Sequence, residues 1–190
     1  MALSEQPIVI QLSKTKLTLL LLGSLIFVVI GILFVTNPDE YTSFRMRNSS
    51  IIFIAGFAGI IFFGLSFLFI SKKLTDNSPG LIISSEGILD NSSVISPTQI
   101  KWLEIEDISV KEIYGQKYIL LNIKKSTYFI SKQKGSFKRW LMTKNYKTYG
   151  SPINITSNGL KISHIKLLSI LKEKLNEERQ RLIENKESRA

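Results

Sequence analysis

Two unbroken apolar stretches dominate the pattern of hydrophobic and polar positions along the chain. "LTLLLLGSLIFVVIGILFVT", Leu17 to Thr36, and "IIFIAGFAGIIFFGLSFLFI", Ile51 to Ile70, each run for 20 residues without a charge. Neither alternates as a strand would, and neither keeps the polar face of a half-buried helix. At about 1.5 Å per residue each reaches about 30 Å as a helix, the thickness of a bilayer's hydrocarbon core. The pattern predicts transmembrane helices at 17–36 and 51–71, in preference to two buried helices of a soluble core. A cleaved signal peptide fits the first stretch poorly: the apolar run exceeds an h-region, and no small-x-small site follows before Pro38. Around these helices the reading places an N-terminal segment (1–16), a loop (37–50) and a linker (72–80).

Beyond residue 80 the periodicity shortens. "LIIS", a "SEG" turn and "ILD" predict a hairpin with Gly87 at the special backbone position. "IKWLEI" and "DISVKEI" follow, and "KYILLNIKK" alternates, with Ile119, Leu121 and Ile123 on one face. "STYFIS" reads as a further short strand and "SPINI" as another. Strands this short and closely spaced predict an antiparallel sheet, partly closed or sandwich-like. In "SFKRWLMTKNY" the 3–4 spacing of Phe137, Trp140, Leu141 and Lys144 predicts a short amphipathic helix. Ser163 fits the N-cap of a final helix whose stripe Ile165, Leu168, Leu171 and Leu175 would close over the sheet, with Trp102 or Leu103 beneath. The domain is placed at 81–176, and 177–190 is a polar tail, helical or disordered. The fold class is a membrane-anchored α+β protein: a two-helix hairpin, then a small antiparallel β-barrel or sandwich closed by a C-terminal helix.

Charge orients the hairpin. Lys14 and Lys16 precede the first helix, Lys72 and Lys73 follow the second, and the loop holds Arg45 and Arg47. Four cations against two put both termini in the cytoplasm, with 37–50 outside. No ionisable residue lies inside either span, as a transporter or proton relay would need. Gly23, Gly31, Gly56, Gly59 and Gly64, with Ala55, suit close packing within the pair and are compatible with a homo-oligomer seam. The spans read as an anchor.

The net charge of +10 argues for an anionic partner. It is concentrated in residues 124–150, which carry eight Lys or Arg and no Asp or Glu: Lys124, Lys125, Lys132, Lys134, Lys138, Arg139, Lys144 and Lys147. Trp140 and five other aromatics are interleaved among them. Such a surface suits stacked nucleic-acid bases or an anionic membrane face, and a solvated basic face is the plainer account. No recognised DNA- or RNA-binding motif is present and the anchor favours lipid, so nucleic acid is not an expected partner. Lys72 and Lys73 are juxtamembrane.

Catalytic signals are sparse. The chain has no cysteine, which excludes thiolate chemistry and disulfides, and a single histidine, His164, read as an exposed first-turn residue. No phosphate loop, zinc motif or nucleophile elbow occurs, and no cofactor is implied. Glu104, Glu106 and Asp107 lie close together, where carboxylates can act as acid and base or hold a cation. Solvated charge on one face of a strand explains them more simply.

Taken together, "GLIISSEGI", "YGSPINI" and "GLKISHIKLLSIL" behind two N-terminal helices resemble an uncharacterised family of bacterial inner-membrane proteins with a cytoplasmic pleckstrin-homology-like domain. By that resemblance Gly150, Pro152 and Ile153 match a turn and strand, and Ser163 the start of the last helix. It implies a strongly bent barrel closed by a helix, a multi-pass location in the bacterial inner membrane, and no catalytic signature. Three readings of function follow. The first is a non-enzymatic membrane protein whose basic domain binds a protein partner or anionic phospholipid headgroups. The second is an immunity protein against a membrane-active toxin, and the third an enzyme using the acidic cluster on a membrane substrate.

Overall fold

The computed structural model describes residues 6–42, 48–93, 95, 98–113 and 115–187. Arg45 and Arg47 lie outside the described residues. The chain divides into two units, residues 13–77 and residues 6–12 together with 78–187.

The first unit is a pair of long helices, α1 (Lys14–Thr36) and α2 (Ser49–Thr75), joined through a short 3-10 turn at Pro38–Tyr41. Both start on polar caps. The Ser13 hydroxyl accepts from Lys16 N–H at 3.4 Å and the Asn48 Oδ1 from Ser50 N–H at 2.9 Å, satisfying donors that a helix N-terminus otherwise orphans. Glycine lets the two backbones meet. A Cβ on Gly31 would stand 2.9 Å from the Gly56 carbonyl, and one on Gly56 would stand 2.7 Å from the Phe34 Cβ. Phe27 and Phe63 stack across the pair with centroids 4.4 Å apart. Only 11% of each apolar window is buried, so leucine, isoleucine and phenylalanine side chains cover the outer surface. Both helices are long and apolar enough to cross a membrane. The segment read as a linker begins inside α2, whose last turn holds Lys72 and Lys73 next to the carbonyl end of the helix dipole.

The second unit holds two antiparallel sheets. One runs β1 (Ile8–Ile10), β2 (Leu81–Ser84), β3 (Gly87–Asp90) and β4 (Thr98–Lys101); the other runs β5 (Ile105–Ile113), β6 (Gln116–Ile123) and β7 (Ile153–Ile155). Three helices complete it, α3 (Ser126–Ser131), α4 (Ser136–Tyr149) and α5 (His164–Glu187). The class is the α+β arrangement expected, but the strands form two separate sheets and neither closes into a barrel. The core includes Leu81, Ile83, Ile88 and Ile100 in the first sheet and Ile105, Ile108, Ile119, Leu121, Ile153 and Ile155 in the second, and β6 is covered on both faces, with Leu120 buried as well. The Trp102 indole N–H, donating to the Ser84 carbonyl at 2.7 Å, ties the link between sheets to β2.

Three local expectations change. "STYFIS" is the helix α3: Ser126, Phe129 and Ile130 are all buried, a spacing that one helix face satisfies and strand alternation does not. A 3-10 turn at Trp102–Glu104 separates β4 from β5. Glu104 Oε2 accepts the Lys101 N–H at 2.9 Å there, and Trp102 is buried while Leu103 faces out. In α5 the buried stripe is Leu167, Leu171 and Leu175, and Ile165 is 80% exposed. Ser163 caps that helix as expected, accepting from Lys166 N–H at 3.4 Å. The helix continues to Glu187, through most of the expected tail.

The largest departure is at the N-terminus. Residues 8–10 are not a segment apart: Ile8, Val9 and Ile10 pair with Ile83, Ile82 and Leu81 in antiparallel register. Leu12 bridges to Leu160, and Lys161 N–H donates to the Gln11 carbonyl at 2.9 Å. Ile10, Leu12 and Leu160 are buried, and Gly80 is so tightly enclosed that a Cβ would meet the Leu160 side chain at 2.5 Å. In chain order, the apolar helix pair is therefore the connection inside a β-hairpin.

Candidate functional site

The cation-rich stretch 124–150 folds as α3, a tight loop and α4. Gly135 (φ +90°) allows the chain to turn between the helices, and Gly150 (φ +87°) ends α4 in the left-handed conformation, its N–H donating to the Tyr146 carbonyl at 3.0 Å. Met142 is the fully buried residue of α4. With Met142 inward, Phe137, Trp140, Lys144 and Lys147 share the opposite side at helical spacing.

That orientation turns large aromatics to solvent. Phe137 is 62% and Trp140 55% exposed, their rings stacked with centroids 5.9 Å apart. The Lys144 ammonium lies 5.6 Å from the Trp140 centroid. On α3, Tyr128 is 56% exposed and Lys132 sits 4.2 Å over its ring. Exposed aromatic rings holding ammonium groups at this range combine apolar area with a desolvatable cation. The sequence reading places Trp140 among the surface cations and gives Phe137, Trp140, Leu141 and Lys144 one amphipathic helix without assigning which face packs inward. The signal for the outward face was Met142, one apolar residue whose neighbours at 138 and 145 are polar.

The predicted cations separate into two groups. Lys124, Lys125, Lys132, Lys134, Arg139, Lys144 and Lys147 are exposed. Arg139 also donates to the Gln133 carbonyl at 3.0 Å, bracing the loop. Lys138 is different. It is partly buried, and desolvation lowers its pKa, opposed by attraction to Asp90. Asp90 itself is fully buried and accepts from Ser92 N–H at 2.8 Å and from the Ser92 and Ser93 hydroxyls at 2.6 and 3.0 Å. Lys138 thus differs from the other cations in being partly buried and within the field of a buried carboxylate at the end of β3. Lys72 is exposed on α2, while Lys73 reaches Asp76 at 3.9 Å.

The acidic cluster does not assemble. Glu104 is engaged on the Lys101 backbone, and a β-bulge between Ile105 and Asp107 leaves Glu106 and Asp107 exposed. The Glu106 carbonyl accepts from the Arg179 guanidinium. Among the described residues no group of three or more His, Asp or Glu is placed to hold a metal ion. His164 is half-buried, not exposed as expected, and its Nδ1 has no hydrogen-bond partner. What the geometry offers chemically is a binding surface: fixed cations, cation–π pairs and a stacked aromatic ridge. No family model, curated protein or solved structure matches the chain.

Proposed function

We propose that the chain is a non-enzymatic, membrane-anchored binding protein of the bacterial inner membrane, and that its α3–α4 face engages anionic phospholipid headgroups. One observation carries this: the exposed Phe137–Trp140 stack lies in a segment bearing eight cations and no carboxylate. A solvated basic face has no use for two large rings in water. An interfacial surface does, because indole and phenyl groups favour the headgroup zone, and each lysine or arginine gains about 1 kcal/mol near an anionic leaflet.

The test uses a soluble form in which residues 6–12 are joined to residue 78 by a short Gly–Ser bridge. Lys132, Lys134, Lys144 and Lys147, all exposed, are replaced with Gln, and the partly buried Lys138 is left in place. Phosphatidylglycerol vesicle binding is expected to weaken by about one to three orders of magnitude, at about 1 kcal/mol per engaged charge. Salt should weaken the parent more steeply than the variant, which keeps four of the eight cations. Trp140 emission should shift blue on binding. If the parent ignores anionic vesicles at low salt, the face is solvated or docks a protein, and the lipid reading fails.

Sidedness belongs to the same proposal. Pairing of β1 with β2 supports it, because strands on either side of the helix pair share one sheet and so one side of the membrane; Lys14, Lys16, Lys72 and Lys73 favour the cytoplasm. An impermeant maleimide on intact cells should label Thr42→Cys and spare Thr127→Cys. Labelling at 127 without labelling at 42 reverses the assignment. We further propose a relationship to the pleckstrin-homology superfold, supported by strands divided four and three ahead of a C-terminal helix.

A further inference from the structure

A cavity of about 220 Å³ lies where the Trp102–Glu104 turn, the end of β6 and α3 meet. Leu103, Ile123, Tyr128 and Phe129 line it, together with the exposed Lys124 and Lys125. Leu103 is 59% exposed, so this wall, like that of Tyr128, keeps apolar area in water that an occupant would cover. Glu104 also borders the cavity, but its Oε2 accepts the Lys101 N–H. The Lys132 ammonium lies over the Tyr128 ring that forms one wall, but Lys132 itself does not line the cavity.

Two properties define what fits. The volume falls below the roughly 300 to 1,000 Å³ of sites for drug-sized ligands, which leaves room for one short alkyl chain and not for a nucleotide or a two-chain lipid. Apolar walls beside two cations, Lys124 and Lys125, and one already engaged carboxylate select an anionic end group. We infer that this cavity binds a single short-chain fatty carboxylate, its chain against Leu103, Ile123 and Phe129 and its carboxylate at Lys124 and Lys125. The inference stands apart from bilayer docking, since neither Phe137 nor Trp140 borders the cavity.

Octanoate is the probe, titrated calorimetrically into the full chain in neutral-lipid nanodiscs with empty nanodiscs subtracted. One saturable site is expected, with octylamine at least tenfold weaker. Lys124→Gln with Lys125→Gln should weaken octanoate about tenfold and leave octanol unchanged. Leu103→Ala, a change at an exposed side chain that the fold tolerates, should weaken octanoate and octanol alike. Absence of saturable octanoate binding, equal responses to octanoate and octylamine, or indifference to the double lysine change would each overturn the site. Loss of vesicle binding in Lys144→Gln with Lys147→Gln, neither of which borders the cavity, with octanoate binding retained, would separate the two proposals.

Discussion

A domain that begins at Ser78 is expected to be about 3 to 6 kcal/mol less stable than the same domain with residues 6–12 spliced to its front. The estimate comes from burial. Ile10 and Leu12 are both buried, and fully burying such a side chain contributes about 1.5 to 3 kcal/mol. Without β1 the outer edge of β2 is also bared, and Leu81, Ile83, Gly80 and Leu160 lose their cover. Set against a total of about 5 to 15 kcal/mol for a typical domain, the loss leaves the shorter fragment marginal. With urea slopes of about 1 to 3 kcal/mol per molar, the midpoints should differ by about 1 M or more. The shorter fragment should also associate, since a bare sheet edge templates pairing. Coincident midpoints would mean that β1 adds nothing and that residues 8–12 do not belong to the domain.

The second large effect is expected at Leu171. It is fully buried in the Leu167–Leu171–Leu175 stripe of α5, and truncating a buried leucine to alanine costs about 2 to 5 kcal/mol. In the spliced domain, Leu171→Ala should lower the urea midpoint strongly, whereas Leu182→Ala, at a side chain 37% exposed, should lower it far less. Ile165→Ala is the discriminating control. Periodicity alone places Ile165 on the closing face, while the structure leaves it exposed, so a small effect favours the observed register. A large effect at Ile165 with a small one at Leu171 would mean the helix is rotated.

What the sequence disclosed follows from the range of each interaction. The two long helices were legible because 20 apolar residues in a row need no partner to be recognised. Gly87 announced its hairpin because its φ of +148° and its closeness to Ile100, whose carbonyl a Cβ would approach to 2.1 Å, admit only glycine. Strand β1 was not legible: three residues before the first apolar helix find their partner more than 70 positions later. In α3 the β-favouring Tyr128, Phe129 and Ile130 misled, because burial of Ser126, whose hydroxyl donates to the Ile123 carbonyl at 2.8 Å, sets the turn. The basic stretch was visible from composition; its stacked ridge was not, since the direction of α4 depends on Met142 packing into a core assembled from distant strands.

The splice between β1 and β2 has a consequence for biogenesis. Ile10 leaves the ribosome 71 residues ahead of its register partner Leu81, an interval of about 4 to 14 s at 5 to 20 residues per second. On the membrane reading proposed above, both helices enter the bilayer within that interval and return the chain to its side of departure. A nascent chain whose second helix stalls, or whose hairpin inserts upside down by half, strands β1 across the membrane from β2 and leaves the sheet edge open. Protease resistance of residues 78–187 in pulse-labelled cells should therefore appear only after correct insertion, so that the finished domain certifies the topology of its own anchor.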